Sequence, residues 1–303
     1  MLPDTLSLGC LGQLFLRYFV QTLPAYKNLN LIKRKQSMEQ LFIPGSIIAD
    51  YFYLGLFLLV AASLIAGYVD AIAGGAGLIL IPAFLMVGLP PQVALAQEKL
   101  VSTIGTVAAI KNFMKSSSIV WHIVPVGIVA ALIGAFVGAK VILILPVETI
   151  NYIILAFLPI GLLATLFKGV LLKKEDERGE IKKSVIAVFL TCLIVGFYDG
   201  FFGPGTGSIF IIALFVINKL SLLQASATSK IFNFASNIGA FVAFLIAGKM
   251  AFLIGIPMIL ANLLGNHFGS LHAINSNGEV IRKVLVVTVL LIIVSMAYKA
   301  FSA

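Results

Sequence analysis

The sequence predicts an all-α polytopic membrane protein that contains two homologous repeats, with about eight transmembrane helices and one broken span per repeat. Hydrophobic residues make up 60% of the 303 residues and charged residues only 11%, which is far from the composition of soluble domains. Apolar runs long enough for a helical span of about 18 residues recur along the chain. Two glycine-rich stretches, each with one aspartate, interrupt these runs at corresponding places.

Residues 1–45 form an N-terminal extension that precedes the membrane repeats. The extension has no long apolar core and no small-residue cleavage site, so a signal peptide is not predicted. Met38 comes directly before the first apolar run, and translation could start there. We therefore expect the extension to be either untranslated or cytoplasmic, because basic residues beside a first span favour the cytoplasmic side.

Ten apolar segments follow, five in a first repeat (46–172) and five in a second (184–303), with a charged connecting loop at 173–183. The segments lie at roughly 47–69, 77–89, 93–113, 119–145, 148–172, 184–197, 207–218, 222–247, 250–273 and 280–301. An equal number of segments on each side of one charged loop is the pattern of a duplication.

The two halves also align residue by residue. Asp70 matches Asp199 at an offset of 129 residues, and Lys99 matches Lys230 at an offset of 131. Two glycine pairs, at 134 and 138 and at 265 and 269, match at the same offset of 131. Internal repeats of this size are common in secondary transporters.

The short segments 184–197 and 207–218 cannot each cross a membrane, because a span needs about 20 residues. Such a pair forms either one discontinuous span or a hairpin that enters partway. One broken crossing per repeat gives eight spans and places the N-terminus, the charged loop and Lys299 on the cytoplasmic side, as basic residues prefer. We favour this arrangement. The alternative of ten segments makes the repeats inverted and places the charged loop outside.

The glycine-rich stretches are the first candidates for a binding site. A helix that resumes at Gly77 or Gly207 begins with unpaired N–H groups and a positive dipole end, and such an end near the midplane is an anion site. We therefore predict that substrate binds at these glycines and the threonine beside them: Gly74, Gly75, Gly77, Gly203, Gly205, Thr206 and Gly207. Close helix packing is the competing interpretation, and we favour it for Gly134, Gly138, Gly265 and Gly269.

Asp70 and Asp199 are carboxylates in apolar surroundings, where a charge is costly unless it is used. They could form a proton or cation site that couples transport. They could equally accept hydrogen bonds from the backbone N–H groups that the break exposes. Both roles remain open from the sequence.

The third segment of each half carries Lys99 or Lys230 near its start. Each lysine could face a substrate anion, pair with an aspartate or extend to the membrane interface. Polar residues at helical spacing from them complete the predicted substrate-facing surface: Ser102, Thr103, Thr228, Asn233 and Asn237. Asn262 and His267 are weaker candidates, because single polar residues often form interhelical hydrogen bonds.

Other functional classes find little support. The net charge of +9 comes mainly from segment ends and one loop, so it indicates topology and not nucleic-acid binding. Two cysteines and three histidines lack metal-ligand spacing, and the P-loop pattern of ATP-driven pumps is missing. The pattern predicts no metal, no cofactor and no enzymatic activity.

The two glycine-rich stretches, residues 67–77 and 196–207, are the first and second motifs. The first motif continues through residues 78–82 to a Gly-Leu-Pro-Pro turn at 88–91. With the second motif and residues 225–230, it resembles the sulfite exporter TauE/SafE family of membrane transporters over roughly residues 50–301. Gln97 stands where that family often has Thr or Ser. The resemblance implies a multi-pass protein of the inner or plasma membrane that moves a small anion, sulfite or an organosulfur or organic acid anion.

The leading hypothesis is therefore a secondary transporter that binds its anion between the repeats, against the helix starts at Gly77 and Gly207, and works by alternating access. In this hypothesis Lys99 and Lys230 bind the substrate by supplying positive charge. Its expected partners are a small anionic substrate and the lipid bilayer. The sequence does not indicate an oligomeric state. A non-transporting accessory or assembly subunit is the alternative, and a membrane enzyme is the weakest of the three. If the chain is an accessory subunit, altering the motifs abolishes no flux.

Overall fold

A computed structural model describes residues 42–115, 119–154, 156, 157, 159, 184–220 and 222–275. The regular structure in these ranges is helical. The helices are α1 (Ile47–Asp50), α2 (Phe52–Ala73), α3 (Ala76–Val87), α4 (Pro91–Lys115), α5 (Val124–Leu143), α6 (147–154), α7 (Val185–Phe201), α8 (Thr206–Val216), α9 (Leu222–Ile246) and α10 (Phe252–Asn275). Residues 1–41, the charged loop and the segment at 280–301 lie outside the described residues.

Five of the described helices are long and apolar enough to cross a membrane: α2, α4, α5 with the 3₁₀ turn before it, α9 and α10. Of these, α4 and α9 are the most enclosed, with 78% and 67% of the spanning window buried, whereas α2 has 33% buried. The chain is thus polytopic, with α4 and α9 at its centre. α3 and α8, with 12 and 11 residues, are too short to cross alone.

α2 and α3 form a hairpin and not one broken crossing. α2 ends at Gly74, whose φ of 76° is left-handed and whose N–H donates to the Asp70 carbonyl at 2.7 Å. α3 then runs back, because its C-terminal Gly88 accepts a hydrogen bond from the N–H of Ile43, which precedes α2, at 2.9 Å. The expectation of a discontinuous span in this half is wrong, since the end of α3 lies beside the residues that precede α2.

The second half repeats this arrangement. Beyond α7, Gly203 and Gly205 have φ values of 100° and 81°, and α8 carries the chain back to the start of α9. Asp199 near the end of α7 bonds to Ser236, well inside α9. α8 is therefore a return segment as well.

The contacts between helices fix their directions. α10 runs parallel to α2, because Ser63 bonds to the Met258 carbonyl and Tyr68, further along, bonds to His272. α10 also runs parallel to α4, because Gln97 bonds to residue 251 at its start and Asn112 to residue 270 near its end. α2, α4 and α10 thus share one direction.

α5, α7 and α9 share the opposite direction. Along α5, residues 131 and 135 lie against Gly196 and Gly200 of α7, and residues 127 and 132 lie against residues 232 and 239 of α9. The start of α4 meets the end of α5, where Gln92 donates to the carbonyls of Leu143 and Leu145 at 3.5 and 3.4 Å. The two sets of helices are therefore antiparallel.

These directions correct the favoured topology. α2 and α7 open the two halves, and they start at opposite faces of the bundle. Residue 184 therefore lies on the face opposite to residue 52, whereas the favoured arrangement places both on one side. The charged loop itself lies outside the described residues.

The helices of the fourth apolar segment in each half, α5 and α10, are exchanged between the halves. α5 follows α4 in the chain but packs against α7 and α9, and α10 packs against α2 and α4. Glycines make these approaches close, because a Cβ on any of them would overlap a backbone carbonyl of the neighbouring helix. The glycines concerned are Gly134 and Gly138 of α5 and Gly265 and Gly269 of α10. Their predicted role in packing is confirmed.

Candidate functional site

The tips of the two hairpins touch at the centre of the bundle. A Cβ placed on Gly74 would lie 2.5 Å from the Gly207 Cα, and one on Gly77 would lie 3.2 Å from the Pro204 Cα. Backbones can approach so closely only where side chains are missing. This contact explains why both stretches carry glycine.

A small polar cavity lies between the tips, α4 and α9. The space open to the centre of a water molecule is about 10 Å³, which is room for about one water. Its lining residues come from both hairpins and both central helices: Asp70, Gly74, Ala76, Gly77, Glu98, Ser102, Asp199, Gly203, Gly205, Thr206, Gly207, Asn233 and Asn237.

Lys99 of α4 reaches across to the second hairpin. Its Nζ lies 2.7 Å from Asp199 Oδ1 and 3.0 Å from Glu98 Oε2, and it donates to Asn237 Oδ1 at 3.2 Å. The side chain is only 1% exposed. A charge buried to this degree requires such partners.

Lys230 of α9 reaches the first hairpin in the corresponding way. Its Nζ lies 3.5 Å from Asp70 Oδ2 and donates a hydrogen bond to the Asp70 backbone carbonyl. That carbonyl belongs to the last turn of α2, where a cation is favourable to the helix dipole. Lys230 is also 1% exposed, so neither lysine extends to the membrane interface.

A family comparison decides what this bundle is. The profile described as sulfite exporter TauE/SafE matches residues 59–296, which include most of the first hairpin, all of the second, and α4, α5, α9 and α10. The chain belongs to the TauE/SafE family.

Several proteins that are similar in sequence over most of their length are named as probable membrane transporters. A probable membrane transporter protein, ORF9, of Sinorhizobium sp. is 36% identical over 240 residues, which cover 78% of this chain and 89% of the relative. One from Haemophilus influenzae is 32% identical over 80% of this chain and 94% of its own. YfcA of Escherichia coli K12 is 30% identical over 77% and 86%. No solved structure matches. This TauE/SafE chain is a multi-pass protein of the cell membrane.

The two aspartates of the TauE/SafE chain have different neighbours. Asp70 Oδ1 accepts a long hydrogen bond from the N–H of Ala76, the first residue of α3, at 3.4 Å. Asp199 Oδ2 accepts from Ser236 Oγ at 2.6 Å. Asp70 thus pairs with a lysine and also accepts a hydrogen bond from the backbone at the break, a contact of the kind that the second of its two possible roles requires.

Five residues of the predicted site do not line the cavity: Gly75, Lys99, Thr103, Thr228 and Lys230. Gly75 is the N-cap of α3 and is not among the lining residues. Thr103 Oγ1 donates to the carbonyl of Lys99 in its own helix at 2.6 Å. Thr228 lies near the start of α9, and its Oγ1 accepts from the N–H of Val120 at 3.1 Å.

Gln97 is a clamp between helices. Its Nε2 donates to the Ala251 carbonyl at 2.8 Å, and its Oε1 accepts from the Ala251 N–H at 3.0 Å. Both bonds are buried and fix the start of α10 against α4. The side chain therefore serves the backbone and is not aimed at the cavity.

Asn262 and His267 belong to a ladder of polar contacts along α10. Asn262 Nδ2 donates to the Ser63 carbonyl of α2 at 3.0 Å. His267 Nδ1 lies 3.3 Å from Asn112 Nδ2 of α4. These bonds join α10 to its neighbours, which agrees with the interhelical role considered for single polar residues.

Glu98 is a site residue that the sequence prediction omitted. It lines the cavity and is 4% exposed. Beside Lys99 in the chain, it suggests a local ion pair at a helix surface. Its burial follows only from the position of α4 at the centre of the bundle.

Proposed function

We propose that this protein is a secondary transporter that moves a small anion, sulfite or an organosulfur or organic acid anion, through the centre of the bundle. The observation that supports this most directly is that α3 and α8 both begin at the cavity, from opposite sides. Ala76 and Gly77 of α3 and Thr206 and Gly207 of α8 line it. Two helix N-termini that face one space offer N–H donors and positive potential to a negative ligand.

The lysines support this potential indirectly. In each hairpin, the C-terminal end of the first helix lies next to the N-terminal end of the second, and its negative pole would cancel the positive one. Lys230 donates to a last-turn carbonyl of α2 and thereby offsets that negative pole. Because each lysine is already paired with an aspartate, we infer that they hold the tips in place and that the helix starts contact the anion.

Polar side chains around the helix starts suit an oxyanion. Asn233 and Asn237 carry amide donors at the cavity wall. Sulfite and sulfonates present three oxygen acceptors in a compact group. The cavity holds about one water, so the tips must separate before such an anion can bind.

We further infer that the two halves are inverted repeats that work by alternating access. The equivalent contacts of Lys99 with Asp199 and of Lys230 with Asp70 support this relation. Inverted repeats place one site at a pseudo-twofold axis in the membrane plane, which either half can open toward its own side.

Reconstitution in liposomes tests the proposal. The purified protein is offered radiolabelled sulfite, thiosulfate, methanesulfonate and acetate, with and without a pH gradient, and flux is compared with protein-free liposomes. We expect saturable flux of at least one sulfur oxyanion. If no anion moves under any gradient, the transporter proposal is refuted and an accessory subunit becomes the better interpretation.

A matched pair of variants tests the site. N233A removes an amide from the cavity wall, and we expect a loss of anion affinity of about tenfold or more, the value of one hydrogen bond to a charged group. N112A makes the same chemical change at the α4–α10 contact, outside the cavity. It should lower thermal stability and leave anion affinity as it was. Equal affinity loss in both variants would contradict the assignment.

A further inference from the structure

The charges around the cavity do not balance. Among the described residues, the carboxylates of Asp70, Glu98 and Asp199 line it, and the ammonium groups of Lys99 and Lys230 contact them. All five side chains are buried. One negative charge is therefore in excess at a place where an anion would have to bind.

Glu98 holds this excess. Asp70 and Asp199 pair with different lysines, whereas Glu98 contacts only Lys99, which lies nearer to Asp199, at 2.7 Å against 3.0 Å. Glu98 Oε1 accepts from Ser102 Oγ at 2.9 Å, whereas Oε2, like Asp70 Oδ2, has an ion-pair contact with a lysine but no well-aligned hydrogen-bond donor. A buried carboxylate oxygen without a donor is costly.

Within the described ranges, the surroundings of Glu98 supply no second cation. Its own helix contributes Lys99, and α7 contributes Asp199, which repels it. From α9 the cavity receives only the neutral amides of Asn233 and Asn237, and from α8 the hydroxyl of Thr206. Asp70 and Lys230 form their own pair at the opposite tip.

The other half has no counterpart of Glu98. The offset of 131 that relates the two lysines relates Glu98 to Ser229. Ser229 Oγ donates to the Ser226 carbonyl of its own helix at 2.8 Å. Each half contributes one lysine and one aspartate to the two lysine–aspartate pairs, so these residues are common to both halves. Glu98 occurs in the first half alone.

We propose that Glu98 is the proton-binding site that couples anion movement to a proton gradient, an inference that rests on the transport function proposed above. A proton from water on one side adds to the Glu98 carboxylate and gives the neutral acid. This removes the excess negative charge, and the anion can then bind at the helix starts. After the site opens to the other side, the anion leaves and the same proton returns to water there. One proton thus moves with each anion, in the same direction.

Asp70 and Asp199 are poorer proton carriers for a structural reason. Protonation of Asp70 would leave Lys230 buried without its carboxylate, and protonation of Asp199 would remove the shorter of the two carboxylate contacts of Lys99. Protonation of Glu98 leaves both lysine–aspartate pairs intact.

The variant E98Q in liposomes tests this inference, with radiolabelled sulfite and methanesulfonate as probes and a trapped pH dye as the proton readout. In the unaltered protein, a gradient of one pH unit should drive up to about tenfold accumulation, and anion movement should carry protons. E98Q should still exchange labelled for unlabelled anion at a measurable rate, but the gradient should no longer drive accumulation. E98D should keep the coupling, and E148Q, the same change at an exposed glutamate, should behave like the unaltered protein.

The outcomes are distinguishable. Accumulation by E98Q that still follows the pH gradient overturns the proton role and leaves the transport function standing. Folded E98Q that exchanges no anion, beside active unaltered protein, also overturns it, because Glu98 would then be needed for anion movement itself. Failure of the unaltered protein to move either probe refutes transport of sulfur oxyanions and this inference with it. If E98Q does not fold, E98D decides: loss of coupling there contradicts the proposal.

Discussion

Removal of either buried aspartate should destabilise the protein, but not in the order that the distances suggest. Asp199 makes the shorter ion pair, at 2.7 Å, and Asp70 the longer, at 3.5 Å. Distance alone predicts that D199N is the more harmful change. The remaining partners of each lysine predict the opposite.

In D199N, Lys99 keeps a carboxylate, because Glu98 Oε2 lies 3.0 Å from its Nζ. The loss is then close to one hydrogen bond to a charged group, about 1.5–3 kcal/mol. In D70N, Lys230 keeps no carboxylate among the described residues and is left with the backbone carbonyl of residue 70. Breaking a buried pair in this way costs about 3–5 kcal/mol.

Thermal unfolding of the purified variants in detergent, followed by the loss of monodisperse protein, measures the order. We expect D70N to have the lower melting temperature. The double variant D70N/K230M removes both charges and should recover part of the loss, because the cost arises from the uncompensated ammonium. A melting temperature for D199N equal to or below that of D70N would refute the reasoning.

Three further predictions follow from the fold. G74A should lower stability by about 1–3 kcal/mol, because the added methyl group overlaps the second hairpin. G248A is the control: its φ of 69° is similar but the space around it is open, so it should cost only the strain of that conformation. Similar melting temperatures for the two variants would contradict the contact between the tips. In a cysteine-free background, D50C and S184C should react with an impermeant maleimide from opposite sides of the membrane, and labelling from one side would restore the eight-span arrangement. Q97L should lower stability by about 1–3 kcal/mol without weakening anion binding, and a loss of affinity alone would place Gln97 in the site.

Much of the site follows from the sequence because burying a charge or breaking a helix in a membrane is costly. Lys99 and Asp199 are charges in apolar segments, and pairing of each lysine with an aspartate is one of the alternatives that the sequence offers, without indicating which aspartate. The glycines of the two tips stood out as breaks. Such local signals need no knowledge of distant partners.

The hairpins could not be told from broken spans by the same signals. A left-handed glycine such as Gly74 ends a helix whether the chain then continues or returns. The direction of α3 depends on contacts far away in the chain, such as that of Ile43 with Gly88. The sequence does not predict the exchange of α5 and α10 for a related reason. Helices with small residues on one face can pack against many partners.

Glu98 was missed because its meaning depends on counting charges in three dimensions. Next to Lys99 in the sequence, it suggests a pair that cancels. The structure shows that Lys99 is also engaged by Asp199, from another half of the chain. An excess charge is a property of the assembled site and not of any one segment.

The exchanged helices determine which bodies can move against each other. One body consists of α2, α3, α4 and α10, and the other of α7, α8, α9 and α5, so neither is a continuous half of the sequence. Both lysine–aspartate pairs join one body to the other. A sliding motion would break the two pairs, at about 3–5 kcal/mol each, whereas rotation about the line between them can open either side of the cavity and keep both. Under the alternating access proposed above, we therefore expect the pairs to lie at the pivot, with the hairpin tips separating around them.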